Sequence, residues 1–327
     1  MSVLEVRDLS VTFTTPSGVA RAVDEVAFSL DAGETLALVG ESGSGKTMTA
    51  LAVLGLVPPP GRVGSSSQVR YQDRNLLGGS EAAWRAVRGA EIAIVFQEPT
   101  TSLNPVLTIG TQITETIHAH ERVTKAAARA RAAELLQRVG IADPTHRLDS
   151  YPHQLSGGMR QRAMIAMALA CRPTVLIADE PTTALDVTVQ AQILELLAAL
   201  KAELGMAMLL ITHNLGLAAG VADRVAVMYG GRIVESADTD ALFHQPVHPY
   251  TAGLLRAAPR LEGPARPQTV IPGAVPPATA WPTGCRFHPR CAFAWERCAA
   301  DEPPTLSPAP GRTARCWLVE EPDRRRA

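Results

Sequence analysis

A glycine-rich segment at residues 40–47, Gly-Glu-Ser-Gly-Ser-Gly-Lys-Thr, has residue types and spacing suited to binding phosphate. It matches the whole pattern Gly-x-x-x-x-Gly-Lys-Ser/Thr, and the strand before and helix after that this pattern requires are both predicted. Glycines let successive backbone N–H groups face phosphate oxygens, Lys46 reaches the β- and γ-phosphates, and the Thr47 hydroxyl ligates Mg²⁺. The alternative is a chance glycine-rich turn. The predicted nucleotide-binding residues are Gly40, Glu41, Ser42, Gly43, Ser44, Gly45, Lys46, Thr47 and, in the following helix, Thr49.

Two adjacent carboxylates follow the apolar run at residues 174–178. A parallel strand delivers the residues at its carboxyl end to the ligand crevice of an α/β sheet. Asp179 is therefore predicted to hold Mg²⁺, and Glu180 to polarise the attacking water. The alternative is a solvated Asp-Glu turn before Pro181, which is a common arrangement.

A second anion site is predicted at residues 155–161, Leu-Ser-Gly-Gly-Met-Arg-Gln. Ser156 is a good N-cap, and Gly157 and Gly158 leave the first N–H groups of the helix bare. The alternative is an ordinary capped helix. One phosphate-binding loop does not need a second such helix start more than a hundred residues away, so these residues alone leave the purpose of the second site open.

The elements that must position these residues alternate between strand and helix. Short apolar runs predict buried parallel strands at residues 35–39, 175–178 and 208–212, and residues 23–30 predict a further strand. Helices are predicted at residues 47–56, 125–139, 157–171 and 189–204. This alternation predicts an α/β fold with a largely parallel sheet.

The composition supports a globular intracellular protein. The 327 residues are 46% hydrophobic and 19% charged, which is enough for a core. A net charge of −1 gives no basic surface for nucleic acid, so no nucleic-acid partner is expected. No run of about 18 apolar residues predicts a transmembrane helix, and the N-terminus has no secretory pattern. A cytosolic, reducing compartment is therefore expected, where cysteines serve as thiols or metal ligands.

Residues 155–161 resemble the signature motif of ABC (ATP-binding cassette) ATPases, and the resemblance covers most of residues 1–258. It implies that Phe13 stacks on adenine, that Gln97 senses Mg²⁺ and the attacking water, and that His213 contacts the γ-phosphate. The segment Ala184-Leu185-Asp186 is similar to the D-loop. In that family two ATPase subunits dimerise head to tail, so Ser156 and Gly158 would serve the partner's nucleotide. ATP and Mg²⁺ are the implied ligands.

The predicted architecture is a P-loop, ABC-type nucleotide-binding domain at residues 1–258 with a helical subdomain at about residues 98–165. A small cysteine-containing domain of the oligopeptide/dipeptide-transporter type is predicted at residues 259–327, after an extended proline-rich connector at residues 263–282.

Further segments are similar to the ATPases of oligopeptide, dipeptide and nickel importers. The resemblance implies ATP-driven import of short peptides, with two transmembrane permease subunits, an extracytoplasmic solute-binding protein and a second ATPase, at the cytoplasmic face of the membrane. A nickel or other small-solute importer and a soluble, non-transport ABC ATPase are the alternatives. One departure from the family is Asn214, where an Asp usually follows the switch histidine. The similar segments are residues 96–105, 155–162, 248–251, 271–273 and 284–291.

Four cysteines lie near the C-terminus, and five, six and seventeen residues separate them. This is not the paired Cys-x-x-Cys spacing of a zinc ribbon, but four thiolates can hold a [4Fe–4S] cluster or Zn²⁺. The resemblance supports the cluster, and free thiols or disulfides are the alternatives. Cys171 is expected to be an inert thiol inside an apolar helix. The predicted ligands are Cys285, Cys291, Cys298 and Cys316.

Overall fold

The computed structural model describes residues 2–183, 185–257 and 271–325. The chain forms two compact units. The first consists of Gly78–Leu209 with the described residues of Met1–Leu4 and Leu30–Glu34, and the second consists of Glu5–Ser29, Thr35–Leu77 and the described residues of Leu210–Ala327. Both the glycine-rich loop and the four C-terminal cysteines therefore belong to the second unit.

The strands vary from short edge pairs to two long strands at the N-terminus. They are β1 (Ser2–Thr15), β2 (Gly18–Asp31), β3 (Thr35–Val39), β4 (Arg62–Val63), β5 (Gln68–Tyr71), β6 (Arg74–Asn75), β7 (Ile92–Val95), β8 (Val175–Asp179), β9 (Ala207–Thr212), β10 (Arg224–Tyr229), β11 (Arg232–Asp238), β12 (Leu306–Ala309) and β13 (Arg312–Ala314).

The helices are concentrated between β7 and β8. They are α1 (Lys46–Val53), α2 (Glu81–Val87), α3 (Pro99–Ser102), α4 (Ile109–His120), α5 (Lys125–Arg138), α6 (Pro144–Arg147), α7 (Gly157–Ala168), α8 (Val187–Leu204), α9 (Leu215–Ala219), α10 (Thr239–His244), α11 (Pro249–Ala257) and α12 (Glu296–Ala300). Short 3-10 turns lie at Pro152–Gln154, His288–Arg290, Trp317–Val319 and Pro322–Arg325.

The first unit is built on the parallel pair β7 and β8, whose register pairs Ile92 with Val175 and Val95 with Ala178. All five residues of β8 are buried, as expected for a strand covered on both faces. Apolar positions of α4, α5 and α7, including Ile113, are buried and complete its core. Asp179 is the last residue of β8, and Glu180 follows it directly. The burial of this strand therefore fixes the position of both carboxylates.

Side-chain caps define where these helices start. Thr108, Thr124 and Ser156 each accept a hydrogen bond from the backbone N–H three residues later, at the start of α4, α5 and α7. Asp186 does the same for α8. Because the first N–H groups of a helix lack intrahelical partners, each cap satisfies one of them and fixes the first turn.

The second unit combines an antiparallel part with the strand of the glycine-rich loop. One sheet has the order β2-β1-β5-β6, with β4 pairing β1. In the other part, β3 lies parallel to β10, and β10 pairs antiparallel with β11. The C-terminal strand β13 pairs antiparallel with β11, matching Glu235 with Ala314. The chain from residue 271 onwards therefore contributes a strand to the same β-structure that carries the glycine-rich loop.

A shared apolar core joins these parts of the second unit. Ala37 and Val39 of β3, Tyr229 of β10, Tyr250 of α11 and Phe287 of the cysteine segment are all buried in one cluster. The rings of Tyr229 and Tyr250 lie with their centroids 4.7 Å apart, a distance typical of favourable aromatic pairs. The cysteine segment is thus packed into the core beneath the strand that leads to the loop.

Most predicted elements are confirmed, with differences at their ends. The strand predicted at residues 35–39 is β3, and the helix predicted at residues 125–139 ends one residue earlier. The helix predicted at residues 47–56 ends at Val53, because Gly55 adopts a positive φ of 62°. The helix predicted at residues 157–171 ends at Ala168.

That earlier helix end corrects the placement of Cys171. The residue lies in the turn after α7 and is half-buried, not inside an apolar helix. Its thiol donates to the carbonyl oxygen of Thr116 (3.6 Å), and burial raises the pKa of the thiol. A raised pKa reduces the reactive thiolate form, which agrees with the expectation of an inert thiol.

The predicted boundary between residues 258 and 259 falls outside the described residues, as does the first part of the predicted connector, up to residue 270. The domain limits and the helical subdomain at residues 98–165 stay predictions. Among the helices that the structure describes, none combines the length and the apolar character needed to cross a lipid bilayer.

Candidate functional site

The glycine-rich loop follows β3 directly and ends where α1 begins at Lys46. Two of its glycines are required by packing. A side chain at Gly40 would collide with the carbonyl oxygen of Met228, and one at Gly45 would collide with that of Ala22. Gly45 also has a φ of 104°, which disfavours other residues. The loop is therefore held close to β2 and β10, and its shape depends on that contact.

Lys46 is buried in this loop, with 5% of its surface exposed. Its Nζ donates to the carbonyl oxygens of Gly40 (2.9 Å) and Glu41 (3.1 Å), so the ammonium group is turned back over the loop. Thr47, the predicted Mg²⁺ ligand, is exposed. A cationic side chain curled over bare N–H groups at a helix start is the arrangement that P-loop proteins use for triphosphates.

Three other predicted nucleotide contacts, Thr49, Ser44 and Phe13, are buried or half-buried in the second unit. Thr49 is fully buried, and its hydroxyl donates to the carbonyl oxygen of Gly45 (3.0 Å). Ser44 is 2% exposed. Phe13 is half-buried on β1 and packs against Gly61, where a side chain would collide with its ring. Their predicted contacts with nucleotide stay predictions.

In the first unit, the structure brings together Gln97 and Glu180, which are 83 residues apart in the sequence. Gln97 Nε2 donates to Glu180 Oε2 (3.2 Å), and Thr183 Oγ1 donates to the same oxygen (2.9 Å). Glu180 has a φ of 45°, a left-handed conformation that is costly for a residue with a side chain. Such strain is concentrated at functional sites, where it aims a side chain at a ligand. Asp179, directly before it, is 2% exposed.

Ser156 is the N-cap of α7, as predicted, and its side chain accepts from the Met159 N–H (3.3 Å). Ser156 and Gly157 are exposed, so the start of this helix is open to a ligand from outside the unit. A side chain at Gly158 would press against Val189 at 3.3 Å, which explains a small residue here. Exposure at a glycine-rich helix start suits an anion site on an intermolecular surface.

The D-loop prediction is covered only in part, because Ala184 lies outside the described residues. Asp186 is exposed and caps α8 by accepting from the Val189 N–H (2.9 Å).

In the second unit, His213 is exposed after β9. Asn214 then caps α9, accepting from the Gly216 N–H (2.9 Å). Asn and Asp are similarly good N-caps, so the departure from the family preserves the local backbone and removes only the charge.

The four C-terminal cysteines line one small, enclosed cavity of about 20 Å³, which also borders His248. That volume holds about one water molecule. Burial raises the pKa of the Cys285 and Cys316 thiols to about 12 and also raises that of Cys291. The thiolate forms of these three residues are therefore disfavoured.

Four thiols around one apolar cavity are a suitable donor set for iron–sulfur or zinc. Their arrangement is not that of a metal centre, however. Within residues 2–183, 185–257 and 271–325, no group of His, Cys, Asp or Glu side chains is placed to bind a metal ion. Binding a cluster would require these side chains to move apart from the cavity they now enclose.

Several residues at the loop were missed by the sequence prediction. Arg290 pairs with both carboxylate oxygens of Glu41 (2.7 and 3.0 Å), and the Glu41 N–H donates to Tyr250 Oη (2.9 Å). Glu41 was predicted to bind nucleotide, yet both of these groups are used within the protein. One signal was present in the sequence, because an arginine flanks each of the four cysteines. These flanking residues are Arg286, Arg290, Arg297 and Arg315.

Two family models match the chain. The ABC transporter model matches residues 23–183, and the model described as the oligopeptide/dipeptide transporter C-terminal region matches residues 234–298. The first therefore covers the glycine-rich loop, Gln97, the signature-like segment and Glu180. The second covers the segment from β11 through the first three C-terminal cysteines.

Curated relatives match over nearly the whole chain. The dipeptide transport ATP-binding protein DppD of Escherichia coli is 50% identical over 97% of this chain and 96% of its own length. The oligopeptide transport ATP-binding protein AppD of Bacillus subtilis is 49% identical over 98% of both chains.

Among solved structures, an ATP-binding cassette determined as a dimer with ADP and phosphate is similar, with a TM-score of 0.65 and 26% identity over 72% of this chain and 98% of that one. Identity near one half across the full length exceeds what a shared fold alone would give. The chain belongs to the ABC transporter family, as a member of the ATP-binding proteins of dipeptide and oligopeptide transport.

Proposed function

We propose that this chain drives the import of short peptides by hydrolysing ATP at the cytoplasmic face of a membrane. The observation that carries the proposal is the full-length match to dipeptide and oligopeptide transport ATP-binding proteins, which includes the C-terminal region. That region supports a transport role over a soluble, non-transport ABC ATPase. The solute path would be formed by two separate permease subunits, served by an extracytoplasmic solute-binding protein.

The proposed roles divide binding from chemistry. The P-loop at residues 40–47 binds the phosphates, Lys46 neutralises their charge, and Phe13 stacks on adenine. Thr47, Asp179 and Gln97 are the proposed ligands of Mg²⁺, and their oxygen donors suit this ion. An Mg²⁺ ion held by these residues would supply positive charge that offsets the negative charge developing on the phosphates.

Glu180 is the proposed general base, which orients and polarises the attacking water. Its Oε2 accepts hydrogen bonds from both Gln97 and Thr183, which supports a fixed orientation of the carboxylate for proton abstraction. His213 would contact the γ-phosphate. Ser156, Gly157, Gly158 and Asp186 would act at the nucleotide of a second ATPase subunit, which is a copy of this chain or a related one. The similar cassette solved as a dimer supports such a pairing.

The ATPase roles are tested with Glu180→Gln in the full-length chain. The substitution keeps the size of the side chain and its bond to Thr183 but removes the basic oxygen. We expect ATP to bind with unchanged affinity and to trap an ATP-bound dimer, while turnover is abolished. Thr47→Ala is the matched comparison, since it should reduce the Mg²⁺ dependence of binding. Normal turnover in Glu180→Gln would remove Glu180 as the base.

The transported solute is tested in the whole complex, reconstituted with its permease subunits and binding protein. Short peptides should stimulate ATP hydrolysis, and the stimulation should disappear in Glu180→Gln. Stimulation by nickel or another small solute, with none by peptides, would retain the ATPase and overturn the peptide substrate. Recovery of the chain solely in the cytosolic fraction, with its permease subunits expressed, would overturn the transport role.

We further propose that Cys285, Cys291, Cys298 and Cys316 hold a [4Fe–4S] cluster, with Zn²⁺ as the alternative. Their position around one cavity supports a shared ligand, although the cavity must open to admit it. The test is anaerobic purification of the wild type and of Cys298→Ser, with Cys171→Ser as control. A brown protein with absorbance at roughly 400 nm, lost only in Cys298→Ser, is expected for thiolate-bound iron. A colourless protein that contains zinc would reject the cluster.

A further inference from the structure

The loop residue Glu41 is held by residues that come from far along the chain. Its carboxylate forms a two-pronged ion pair with Arg290, at 2.7 and 3.0 Å, across a sequence separation of 249 residues. Its backbone N–H donates to Tyr250 Oη at 2.9 Å. The side chain and the backbone of one P-loop residue are thus both fixed by the C-terminal part of the same unit.

Arg290 is itself rigidly placed. Its side chain is 4% exposed, its Nε donates to the carbonyl oxygen of Pro272 (3.0 Å), and its guanidinium lies over the rings of Tyr229 and Phe287. The ion pair with Glu41 raises the pKa of Arg290, so its charge is permanent. A planar guanidinium that is fixed in this way holds a carboxylate in one position, which a lysine ammonium cannot do.

Both residues are close in sequence to residues that line the cysteine cavity. Arg290 directly precedes Cys291, and Tyr250 lies two residues after His248, whose ring also lines that cavity. Cys285 and Cys291 pack against the aromatic cluster that contains Tyr229, Tyr250 and Phe287. The cysteines therefore pack against the same aromatic rings over which the Arg290 guanidinium lies and to which Tyr250 belongs.

We propose that Arg290 and Tyr250 are positioning residues for nucleotide binding, which act through Glu41 and tie the shape of the P-loop to the packing of the cysteine-lined segment. The proposal rests on the ATPase activity of the family and not on the identity of the solute or the metal. Gly40, the residue before Glu41, lies so close to Met228 that a side chain there would collide with its carbonyl oxygen, so Glu41 is the first loop residue whose side chain can be held by a partner. Two states of the cysteine segment would consequently have two affinities for nucleotide.

The test measures the dissociation constant of a fluorescent ATP analogue, with Mg²⁺, for the full-length chain. Arg290→Met should raise it about tenfold, which corresponds to about 1.4 kcal/mol. Arg290→Lys should lie between this variant and the wild type. The matched control is Arg297→Met, since Arg297 also flanks a cysteine but pairs with Glu320 and Glu321 at the surface. It should bind the analogue like the wild type.

Two further measurements distinguish a positioning role of Arg290 from a purely structural one. In the assembled transporter, Arg290→Met should raise the KM for ATP while kcat changes little, whereas general destabilisation lowers the active fraction and thus the apparent kcat. If Arg290→Met does not fold, Glu41→Gln breaks the same ion pair from the loop side. It should raise the dissociation constant of the analogue and the KM for ATP in the same way. Binding like that of the wild type in these variants, or an equal loss in Arg297→Met, would overturn the positioning role.

The link to the cysteines is tested by a double-mutant cycle between Cys291→Ser and Arg290→Met. Cys291→Ser alone should weaken binding of the analogue, and it should have no additional effect when Arg290 is already replaced. Equal effects of Cys291→Ser in both backgrounds, or no effect in either, would overturn the coupling through Arg290. Thermal unfolding of each variant shows that the compared proteins are folded.

Discussion

Glu180 has the left-handed backbone and the two hydrogen-bond donors described above, and both features restrict where its carboxylate can point. The φ of 45° lies outside the range of an extended strand, so the backbone changes direction at Glu180, directly after β8. Thr183 and Gln97 both donate to the same carboxylate oxygen, Oε2, which further restricts its orientation. The general base would therefore be positioned before nucleotide binds, which reduces the reorganisation required during reaction.

Removal of the Thr183 donor tests that positioning. Thr183→Val keeps the shape of the side chain but loses the hydroxyl, so the loss of one hydrogen bond of about 1 kcal/mol should reduce kcat about fivefold. The KM for ATP should stay close to its wild-type value, because Thr183 is not a proposed nucleotide contact. Thr183→Ser restores the hydroxyl and should restore kcat. An unchanged kcat in Thr183→Val would mean that Gln97 alone orients the carboxylate.

His248 should make the stability of the fold depend on pH, with lower stability at acidic pH. It is 1% exposed, and its Nδ1 accepts from the Tyr250 N–H (3.0 Å), so the neutral ring carries its proton on Nε2. Burial lowers the pKa of His248 from 6.5 to about 4, with Arg325 acting in the same direction and Glu235 opposing it. Since the folded pKa lies below the unfolded one, the stability contributed by neutral His248 is complete above pH 6.5 and is lost as the pH falls towards 4.

At pH 5 this loss should amount to about 2 kcal/mol relative to pH 8. Denaturant titration of the wild type and of His248→Gln at pH 8 and at pH 5 measures the free energy of unfolding of each protein. The difference between them isolates the contribution of His248 to the pH dependence of stability. The variant should lose less stability on acidification than the wild type does. His244→Gln, which replaces an exposed histidine, serves as control. Identical pH dependence in wild type and His248→Gln would show that the ring is protonated in the folded state.

At the scale of elements, Glu235 joins three parts of the second unit. It lies on β11 and is fully buried. It accepts from the N–H groups of Val247 and His248 before α11 (both 2.8 Å) and from Arg312 of β13 (2.7 Å). A buried carboxylate with three donors orients the start of α11, and with it Tyr250, relative to the C-terminal strand.

Replacement of Glu235 by Ala should leave Arg312 buried without its ion-pair partner and lower the free energy of unfolding by about 3–5 kcal/mol. The double variant Glu235→Leu, Arg312→Met removes both charges and should recover part of this loss. Glu25→Gln is the control, because solvent reaches the half-exposed Glu25 carboxylate and screens its pairs with Arg315 and Arg232, so the effect should be below about 1 kcal/mol. Denaturant unfolding measures all three. Equal losses in the single and double variants would contradict a buried-charge penalty.

Element types followed from local sequence, whereas some element ends did not. The apolar run of β3 and the capping side chain Ser156 of α7 are local signals, and they predicted these two elements within a few residues. The helix after the P-loop was predicted too long, since its end depends on the left-handed conformation of Gly55. A glycine inside an apolar run does not indicate by itself whether the helix continues.

At the scale of the molecule, sequence spacing identified the motifs but not the contacts between distant segments. The P-loop, the carboxylates after β8 and the signature-like segment are contiguous patterns, each with its own chemistry. The pair of Glu41 and Arg290 joins residues 249 positions apart, and no periodicity connects them. The flanking arginines were visible, but their partners were not, because an arginine can reach a carboxylate on any neighbouring element.

The exposed start of α7 has the properties of a surface that acts on another subunit. Ser156 and Gly157 are exposed, and the cap at Ser156 leaves further N–H groups of the first turn without intrahelical partners. Within this chain, the nucleotide would be held by the P-loop of the second unit. If Ser156 serves the nucleotide of the partner, its replacement should affect turnover in the assembly without affecting the affinity of the isolated chain.

Ser156→Arg therefore distinguishes the two roles. The bulky cation should block the approach of the partner's triphosphate, so ATP turnover in the assembled transporter should fall at least about tenfold, an increase in barrier of about 1.4 kcal/mol. Binding of the fluorescent ATP analogue to the isolated chain should not change. Lys46→Ala should differ from Ser156→Arg, because it also removes binding of the analogue in the isolated chain. Loss of analogue binding in isolated Ser156→Arg would place Ser156 at the chain's own nucleotide and contradict the head-to-tail arrangement.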